Sequence, residues 1–342
     1  MAQNVSVVIV TFRSTQLTID CLRSVEAERS TPGLSLRVII VDNASGDFPI
    51  LSRAVADNRW SSWVTLLLAP RNGGFAYGNN LGIRLALDRG ASDYVLLLNP
   101  DTQVRHGAIG TLVRFLEANP QAGIAGSSFE NMDGSAWSIA FRFPTWISEF
   151  CSALDIGPVT RMFSRWRVAR EMAHATQPVD WICGASMLIR SEVFSLIGGM
   201  DENYFLYFEE TDFCLRARQS GFTTWYVPES RVMHIGGQST GVTERNVRPK
   251  RLPGYWFESR RRYFTMAFGA GHAMAIDLLV LFLYPLGWLK RLALRRRRAS
   301  IPHFWRDFAR NSVLRPRNRH FPAIRATVAD SPRIRSEAPA VD

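Results

Sequence analysis

The chain has 342 residues, a length typical of two small domains or of one large α/β unit with additions. Hydrophobic residues make up 46% and charged residues 21%, which excludes wholesale disorder. The net charge of +11 is uneven, because residues 242–342 hold 21 Lys and Arg against 7 Asp and Glu. The preceding body is close to neutral, which argues against a nucleic-acid partner, and the basic C-terminal quarter is typical of proteins that meet phosphate groups.

The first 125 residues alternate short apolar runs with helical patterns. Strands are predicted over 5–10, 38–41, 64–68 and 94–98, and helices over 16–28, 50–57, 78–87 and 107–118. Continuous β-branched runs are typical of strands buried on both faces, so the order predicts an α/β fold with a mostly parallel, Rossmann-like sheet flanked by helices. The first run lacks a basic n-region and predicts a strand rather than a signal peptide, so we expect a cytoplasmic body.

All four predicted strands end in polar residues or glycine, at the edge where such sheets bind ligands. These residues include Thr11, Asp42, Asn72, Gly74, Asn99 and Asp101. The polar residues at any one strand end could be ordinary loop composition. Four polar strand ends in register, one of them with a Gly-Gly pair, favour a nucleotide-type site. The chain has no GxGxxG after the first strand and no GxxxxGK[ST], which removes the main support for a dinucleotide dehydrogenase or a P-loop NTPase.

The middle section, residues 141–180, is rich in aromatics and arginine and has no clear period. A long irregular insertion of this kind predicts a lid or a substrate-binding segment. Order returns with a Trp-Ile-Cys-Gly-Ala motif and a strand over 187–189. A short helix should follow, with Ser191 as its cap and Gly198 at its end.

Three carboxylates, Glu209, Glu210 and Asp212, stand within four residues at the start of a helix predicted to reach residue 220. Acidic residues favour helix N-termini through the helix dipole, which would explain them without any chemistry. The aromatic run before them places them against apolar surface, which raises carboxyl pKa values toward those of a general base. His234 follows a short predicted strand, 231–233, and is either structural or shares an ion with Asp101.

Taken in order, these motifs resemble the family 2 inverting glycosyltransferases, above all the bacterial rhamnosyltransferase-like branch. The shared motifs are Val-Thr-Phe, Val-Asp-Asn-Ala-Ser, Asn-Gly-Gly-Phe-Ala, Leu-Asn-Pro-Asp, Trp-Ile-Cys-Gly-Ala, Phe-Glu-Glu-Thr-Asp and His-Ile-Gly-Gly-Gln-Ser. The resemblance covers residues 5–269. It implies a GT-A fold, a nucleotide-sugar donor and a divalent cation, Mg²⁺ or Mn²⁺.

The resemblance also implies a donor site and a metal site. Asp42 would bind the pyrimidine base, and Asp101 would ligate the metal with His234. Asn99 stands where the family's Asp-x-Asp element has its first acid, so it would be a neutral ligand or a sugar contact. The full set of implied donor-binding residues is Thr11, Asp42, Asn72, Gly74, Asn80, Asn99 and Asp101.

For catalysis, the resemblance implies that Glu210 is the base, with Glu209 and Asp212 beside it. A metal-bound diphosphate needs no protein acid as it leaves, so one base and one metal suffice for a single inverting displacement. Trp181, Gly184 and Tyr207 would meet the acceptor, and Tyr204 is a further candidate for stacking on a sugar, although core packing explains the aromatic rings equally well. The implied activity is transfer of L-rhamnose from dTDP-rhamnose to a lipid-linked or cell-surface glycan. A UDP-hexose donor and a catalytically silent nucleotide- or sugar-binding module remain alternatives.

The C-terminal quarter contains an apolar stretch, 266–289, that is interrupted by His272 and Asp277 and followed by an arginine cluster. A membrane span, a helix lying in the membrane interface and a buried core helix are all open, and we expect the interfacial helix at the inner face of the cell membrane. The predicted division is a catalytic domain over 1–240, a basic helical segment over 241–300 and a loosely ordered tail over 301–342. Within the catalytic domain, 1–125 would bind the donor and 126–240 the acceptor.

Overall fold

The computed structural model of the protein describes residues 2–88, 92–131, 133–137, 140–154, 162–170, 175–235, 250–293 and 301–318. The strands are β1 Gln3–Thr11, β2 Leu34–Asp42, β3 Val64–Leu68, β4 Tyr94–Leu98, β5 Thr102–Val104, β6 Ala122–Glu130, β7 Ala136–Trp137, β8 Ala140–Phe141, β9 Gln177–Val179, β10 Trp181–Ile182, β11 Ser186–Arg190 and β12 Thr223–His234. The helices are α1 Thr15–Glu28, α2 Phe48–Asp57, α3 Gly74–Leu87, α4 Ala108–Ala118, α5 Trp146–Leu154, α6 Ser191–Ile197, α7 Glu209–Gln219, α8 Gly254–Phe268, α9 Ala270–Ala293 and α10 Phe304–Asn311. Short 3₁₀ turns cover Ser164–Trp166 and Pro316–Asn318.

The main sheet of the described chain has the strand order β3-β2-β1-β4-β11-β6-β12-β5. Strands β1 to β4 are parallel to their neighbours within this group, as their continuous apolar runs predict. Strand β11 runs antiparallel between β4 and β6, and β12 returns parallel to β6. The α/β prediction is confirmed, with antiparallel members in the second half of a sheet that is otherwise mostly parallel.

Alternation along the strands divides the core between the two faces of the sheet. In β1, Val8 faces a cluster built with α3, α6 and α7, whereas Val7 and Ile9 face one built with α1, α2 and α4. Successive side chains of a strand point to opposite faces, so one strand supplies both layers. Helices on both faces leave the strand ends as the open edge of the sheet.

Helices α8, α9 and α10 form a third apolar cluster, which includes Tyr204 of the body. Phe257, Tyr263 and Phe308 are buried within it. The tail predicted to be loosely ordered therefore contributes a packed helix, α10, and only residues 319–342 of that segment lie outside the described residues. Residues 241–249 and 294–300 of the predicted helical segment also lie outside them.

Several local predictions need correction. The segment 141–180 contains the nine-residue helix α5. The short strand predicted over 231–233 is the end of the twelve-residue β12. Ser191 is the first helical residue rather than a cap, because its hydroxyl donates to the Ser92 carbonyl, 2.7 Å away. Gly198 ends α6 with φ of 73°, as predicted.

Candidate active site

The ends of β1 and β2 lie side by side, with Thr11 opposite Asp42. The Asp42 carboxylate accepts hydrogen bonds from the Ser45 backbone (3.0 Å), the Ser45 hydroxyl (2.6 Å) and the Phe48 backbone (3.1 Å). It therefore shapes the turn that leads into α2. Thr11 is fully buried in a group of hydroxyls, with Ser14 at 2.9 Å. The predicted contacts of both residues with a donor stay predictions.

A glycine loop follows β3 and is held by an asparagine from the end of β2. The Asn43 amide donates to the Asn72 side-chain oxygen (3.0 Å) and to the Gly74 carbonyl (3.1 Å). Gly74 has φ of +86°, and a Cβ there would lie 2.0 Å from the Phe205 carbonyl oxygen. The next residue, Phe75, donates its backbone N–H to that oxygen over 2.9 Å. Only glycine allows the loop after β3 to pack this closely against the segment that precedes α7.

Asn80 joins α3 to the same segment. Its amide nitrogen donates to the Met200 carbonyl (2.7 Å) and the Glu202 carboxylate (3.0 Å), and its oxygen accepts the Met200 N–H (2.9 Å). Asn80 was predicted to bind the donor, and in the structure residues 200–202 engage both its side-chain nitrogen and its oxygen. Asn80 is therefore a clamp between α3 and residues 200–202, and its predicted contact with the donor stays a prediction.

Asp101 and His234 meet at the end of β12. The imidazole Nε2 lies 3.1 Å from the Asp101 carboxylate, and both side chains are buried. The Ile235 N–H donates to the Asp101 carbonyl over 3.0 Å, which fixes the two segments together. The described residues hold no group of three or more His, Cys, Asp and Glu suited to a metal. One carboxylate and one imidazole fit an ion that completes its shell with water and substrate phosphates, as Mg²⁺ and Mn²⁺ commonly do.

Glu210 lies in the first turn of α7 and points toward the Trp-Ile-Cys-Gly-Ala motif. The Gly184 N–H donates to its carboxylate over 3.2 Å. A Cβ on Gly184 would lie 2.9 Å from the Phe75 ring and 3.1 Å from the Glu210 Cγ, so a larger residue would displace the carboxylate. Burial raises the pKa of Glu210 above its ordinary value, as suits a general base. The Gly184 N–H thus orients the Glu210 carboxylate, and the predicted roles of Gly184 at the acceptor and of Glu210 as the base stay predictions.

The other two carboxylates of the motif differ in role from Glu210. Glu209 is 1% exposed, and burial together with the Glu210 charge raises its pKa well above the ordinary value. Asp212 pairs with Arg216 at 2.8 Å, and the same guanidinium donates to the carbonyls of Ile197 (2.8 Å) and Gly199 (2.9 Å). Asp212 thus anchors the chain between α6 and α7, and its predicted place among the catalytic acids stays a prediction.

The aromatic candidates for the acceptor site are divided by their packing. The Trp181 ring stacks on Phe141 with centroids 4.2 Å apart, and Tyr207 stacks on Tyr255 at 6.1 Å. Both are partly exposed and keep a predicted role at the acceptor. Tyr204 is fully buried in the third cluster, so the suggestion that it stacks on a sugar is wrong.

Sequence reasoning missed two residues that support the site. Asn43 lies next to Asp42 in the strand-end motif, so its position gave a usable signal. Arg262 of α8 donates to the buried Asp201 carboxylate over 2.5 Å and so joins the C-terminal helices to the segment that precedes α7. The sequence did not indicate this pair, because its two members are 61 residues apart and Arg262 is one of several neighbouring arginines.

Comparison with known families identifies the chain. The family described as "Glycosyltransferase like family 2" matches residues 2–250. The chain belongs to the family 2 glycosyltransferases. As a member of this family, the protein is a transferase of the hexosyltransferase class, which confirms the resemblance found in the sequence.

Relatives of this family 2 glycosyltransferase include enzymes named for rhamnose. An N-acetylglucosaminyl-diphospho-decaprenol L-rhamnosyltransferase of Mycobacterium tuberculosis is 31% identical over 214 residues, covering 60% of this chain and 68% of that protein. The dTDP-rhamnosyl transferase RfbF of Shigella flexneri is 25% identical over 253 residues, covering 72% and 74%. The rhamnosyltransferase WbbL of Escherichia coli K12 is 28% identical over 165 residues, covering 47% and 60%.

Solved structures confirm the GT-A fold. The mannosyltransferase PcManGT of Pyrobaculum calidifontis, in complex with GDP-Man and Mn²⁺, superposes with a TM-score of 0.53 at 14% identity, covering 88% of this chain and 77% of that one. GalNAc-T7 with UDP, GalNAc and Mn²⁺ gives 0.56 at 15% identity, covering 91% and 58%. At such identities the likeness shows the fold alone.

Proposed function

We propose that this glycosyltransferase moves L-rhamnose from dTDP-rhamnose to a hydroxyl of a lipid-linked or cell-surface glycan, with inversion. The observation that carries the proposal is the Glu210 carboxylate, held by the Gly184 N–H beside the glycine loop that follows β3. The donor sugar is supported by the names of the relatives, three of which act on rhamnose by name. A UDP-hexose donor is the second candidate, because the neighbour GalNAc-T7 contains UDP.

The proposed reaction is a single displacement. Glu210 accepts the proton of the acceptor hydroxyl, and that oxygen bonds to the anomeric carbon as the bond to the diphosphate oxygen breaks. Asp101 and His234 would hold Mg²⁺ or Mn²⁺, which when bound neutralises charge on the diphosphate. The Asn43–Asn72–Gly74 hydrogen bonds hold the loop to the end of β2, and the bond from the Phe75 N–H to the Phe205 carbonyl holds it against the segment that precedes α7, which supports a site oriented before the substrates arrive.

The first experiment is a thermal-stability screen of the purified protein with dTDP-rhamnose, UDP-glucose and GDP-mannose, each with Mn²⁺, Mg²⁺ or EDTA. A ligand at 100 times its Kd adds about 2.7 kcal/mol of stability, which a melting curve resolves. We expect a metal-dependent shift with dTDP-rhamnose and rhamnosyl transfer to a synthetic lipid-diphosphate glycan. A shift without transfer to any acceptor would favour the silent binding module, and a shift with UDP-glucose alone would overturn the rhamnosyl donor.

We further propose that α9 lies on the inner face of the cell membrane. One described segment, Ala270–Lys290, is long and apolar enough to span a bilayer, and 33% of its most apolar window is buried in the protein. One face is buried through residues such as Ile276 and Val280, whereas Leu278 and Phe282 are 56% and 70% exposed. An arginine cluster follows the helix in sequence, and its charge suits anionic headgroups.

Burial of Asp277 within the protein favours this interfacial position over a span, because the helix cannot leave its neighbours without exposing a charge. Sedimentation with vesicles of phosphatidylglycerol and phosphatidylcholine tests the proposal. The double substitution of Phe282 and Leu286 by serine should reduce binding at least tenfold. The matched control replaces Leu68 and Leu196 by serine. These two side chains are similarly exposed but lie outside the C-terminal helices, so the control variant should bind vesicles as the wild type does. An equal loss of vesicle binding in both double variants would contradict the proposal that α9 is the surface that contacts the membrane.

A further inference from the structure

The residues 183–185 form a bridge between Glu210 and the turn that carries Asp101. The Gly184 N–H donates to the Glu210 carboxylate over 3.2 Å, and the Ala185 carbonyl accepts the Asn99 N–H over 3.1 Å. Asn99 begins the turn that carries Asp101. A sugar in transfer lies between its leaving diphosphate and the base that activates the acceptor, so it must lie along this bridge.

The side chains on the bridge are poor in hydrogen-bonding groups. Phe75 and Cys183 are both partly exposed, and the Phe75 ring lies 2.9 Å from where a Cβ on Gly184 would stand. Burial, and then the Glu210 charge, raises the pKa of the Cys183 thiol, which favours its neutral form. A neutral thiol is a small, soft, nearly apolar group with only a weak donor.

We propose that Cys183 and Phe75 form the subsite for a deoxygenated edge of the transferred sugar, and that they select the C6 methyl of a 6-deoxyhexose over the hydroxymethyl of a hexose. The inference rests on the proposed donor and deepens it. A hydroxyl placed on this wall finds no strong partner among Phe75, Cys183 and Gly184 and loses its bonds to water, whereas a methyl group gains contact. Apolar pockets reject an added hydroxyl by about 10²-fold at most, which sets the scale of the selectivity.

Cysteine labelling tests the location of the subsite. Cys21, Cys151 and Cys214 are buried, whereas Cys183 is partly exposed. Methyl methanethiosulfonate should label Cys183 slowly at alkaline pH, because the thiolate is the form that reacts, and mass spectrometry follows the rate. We expect saturating dTDP-rhamnose with Mn²⁺ to slow labelling at least tenfold, and dTDP with Mn²⁺ to slow it much less. Equal rates with and without donor, at a concentration that shifts the melting temperature, would overturn the location.

Kinetics test the selectivity. The comparison is kcat/KM for dTDP-rhamnose against dTDP-L-mannose, which differ only in the C6 hydroxyl. Cys183→Ser places a stronger hydrogen-bonding group on the wall and should lower the wild-type preference about tenfold with little change in melting temperature. Cys151→Ser is the matched control and should keep the preference.

The outcomes separate the two proposals. An enzyme that uses dTDP-rhamnose but keeps its preference in Cys183→Ser overturns the subsite alone. An enzyme that uses only UDP-hexoses overturns the proposed donor and the methyl subsite together. Slower labelling with a UDP-hexose would then show that Cys183 meets the donor sugar without selecting a methyl group.

Discussion

The carboxylate of Asp277, in the first half of the largely apolar 24-residue helix α9, lies 2.7 Å from the guanidinium of Arg260. The same guanidinium binds Glu149 of α5 at 2.6 Å, and the second Asp277 oxygen accepts the Ser312 hydroxyl and the Val313 N–H, both at 2.8 Å. Both charges are therefore paired inside the protein. One network joins α5, α8, α9 and the segment after α10, and it holds the basic C-terminal quarter to the body.

Asp277→Asn should destabilise the fold by about 3–5 kcal/mol, because it leaves the Arg260 charge buried with one partner fewer. Chemical denaturation measures the free energy of unfolding. The control is Asp57→Asn, which breaks an exposed ion pair with Arg53 and should cost less than about 1 kcal/mol. Equal small losses in both variants would show that the Arg260–Asp277 pair does not hold the C-terminal helices.

Glu210→Gln should lower kcat by about 10²–10⁴-fold while donor affinity stays near the wild-type value. The amide keeps the shape of the side chain but cannot accept the hydroxyl proton. Steady-state kinetics and donor titration followed by melting temperature separate the two effects. Asp212→Asn is the comparison: it should act through stability, by weakening the pair with Arg216, and unchanged turnover in Glu210→Gln would remove Glu210 as the base.

The pH dependence of turnover should show the raised pKa of Glu210. A base works when deprotonated, so kcat should rise with pH through a value above the ordinary glutamate pKa of about 4.3. Stability should move the other way, because the folded state holds protons on Glu209 and Glu210 more tightly than the unfolded chain does. Stability contributed by these protons is complete at low pH and is lost as pH rises through the raised pKa values. Melting curves of Glu209→Gln against pH should show a smaller loss than the wild type.

Asp101→Ala should weaken donor binding in Mn²⁺ and leave little further loss on adding EDTA, since a metal-dependent contribution can be removed only once. His234→Ala should act in the same direction with a smaller effect if the imidazole is the second ligand. Calorimetric titration with Mn²⁺ alone gives a readout independent of activity. Donor affinity that is equal with and without chelator in the wild type would count against a metal at this pair.

Gly74→Ala should disrupt the donor loop, because the added Cβ would lie 2.0 Å from the Phe205 carbonyl oxygen and the φ of +86° is unfavourable for alanine. We expect Gly74→Ala to lower donor affinity at least tenfold and to lower the melting temperature by a few degrees. Gly46 also has positive φ (+89°), but no atom lies within 4 Å of its added Cβ, so Gly46→Ala controls for backbone strain alone. Similar losses in both would show that close packing against Phe205 is unimportant.

The sequence by itself determined the elements and the family. Continuous β-branched runs predicted the four parallel strands of the first half, and predicted strands 64–68 and 94–98 match the observed ones residue for residue. The spacing of apolar residues and the turn residues that end each element are local properties of the sequence, so they can be recognised without knowledge of the fold. The ordered motifs also identified the family. Asp101 and His234, which the resemblance implied as metal ligands, lie 3.1 Å apart, and their role at a metal stays a prediction.

Only the tertiary structure decided which polar residues carry structure and which are free for chemistry. Asp212 and Glu210 are two residues apart, yet one faces Arg216 and the other faces the Gly184 N–H, because positions i and i+2 of a helix point to nearly opposite sides. Asn80 became a clamp because α3 packs on residues 200–202, which lie 120 positions away. Long-range pairing of this kind depends on how the layers stack, and no local pattern in the sequence encodes it.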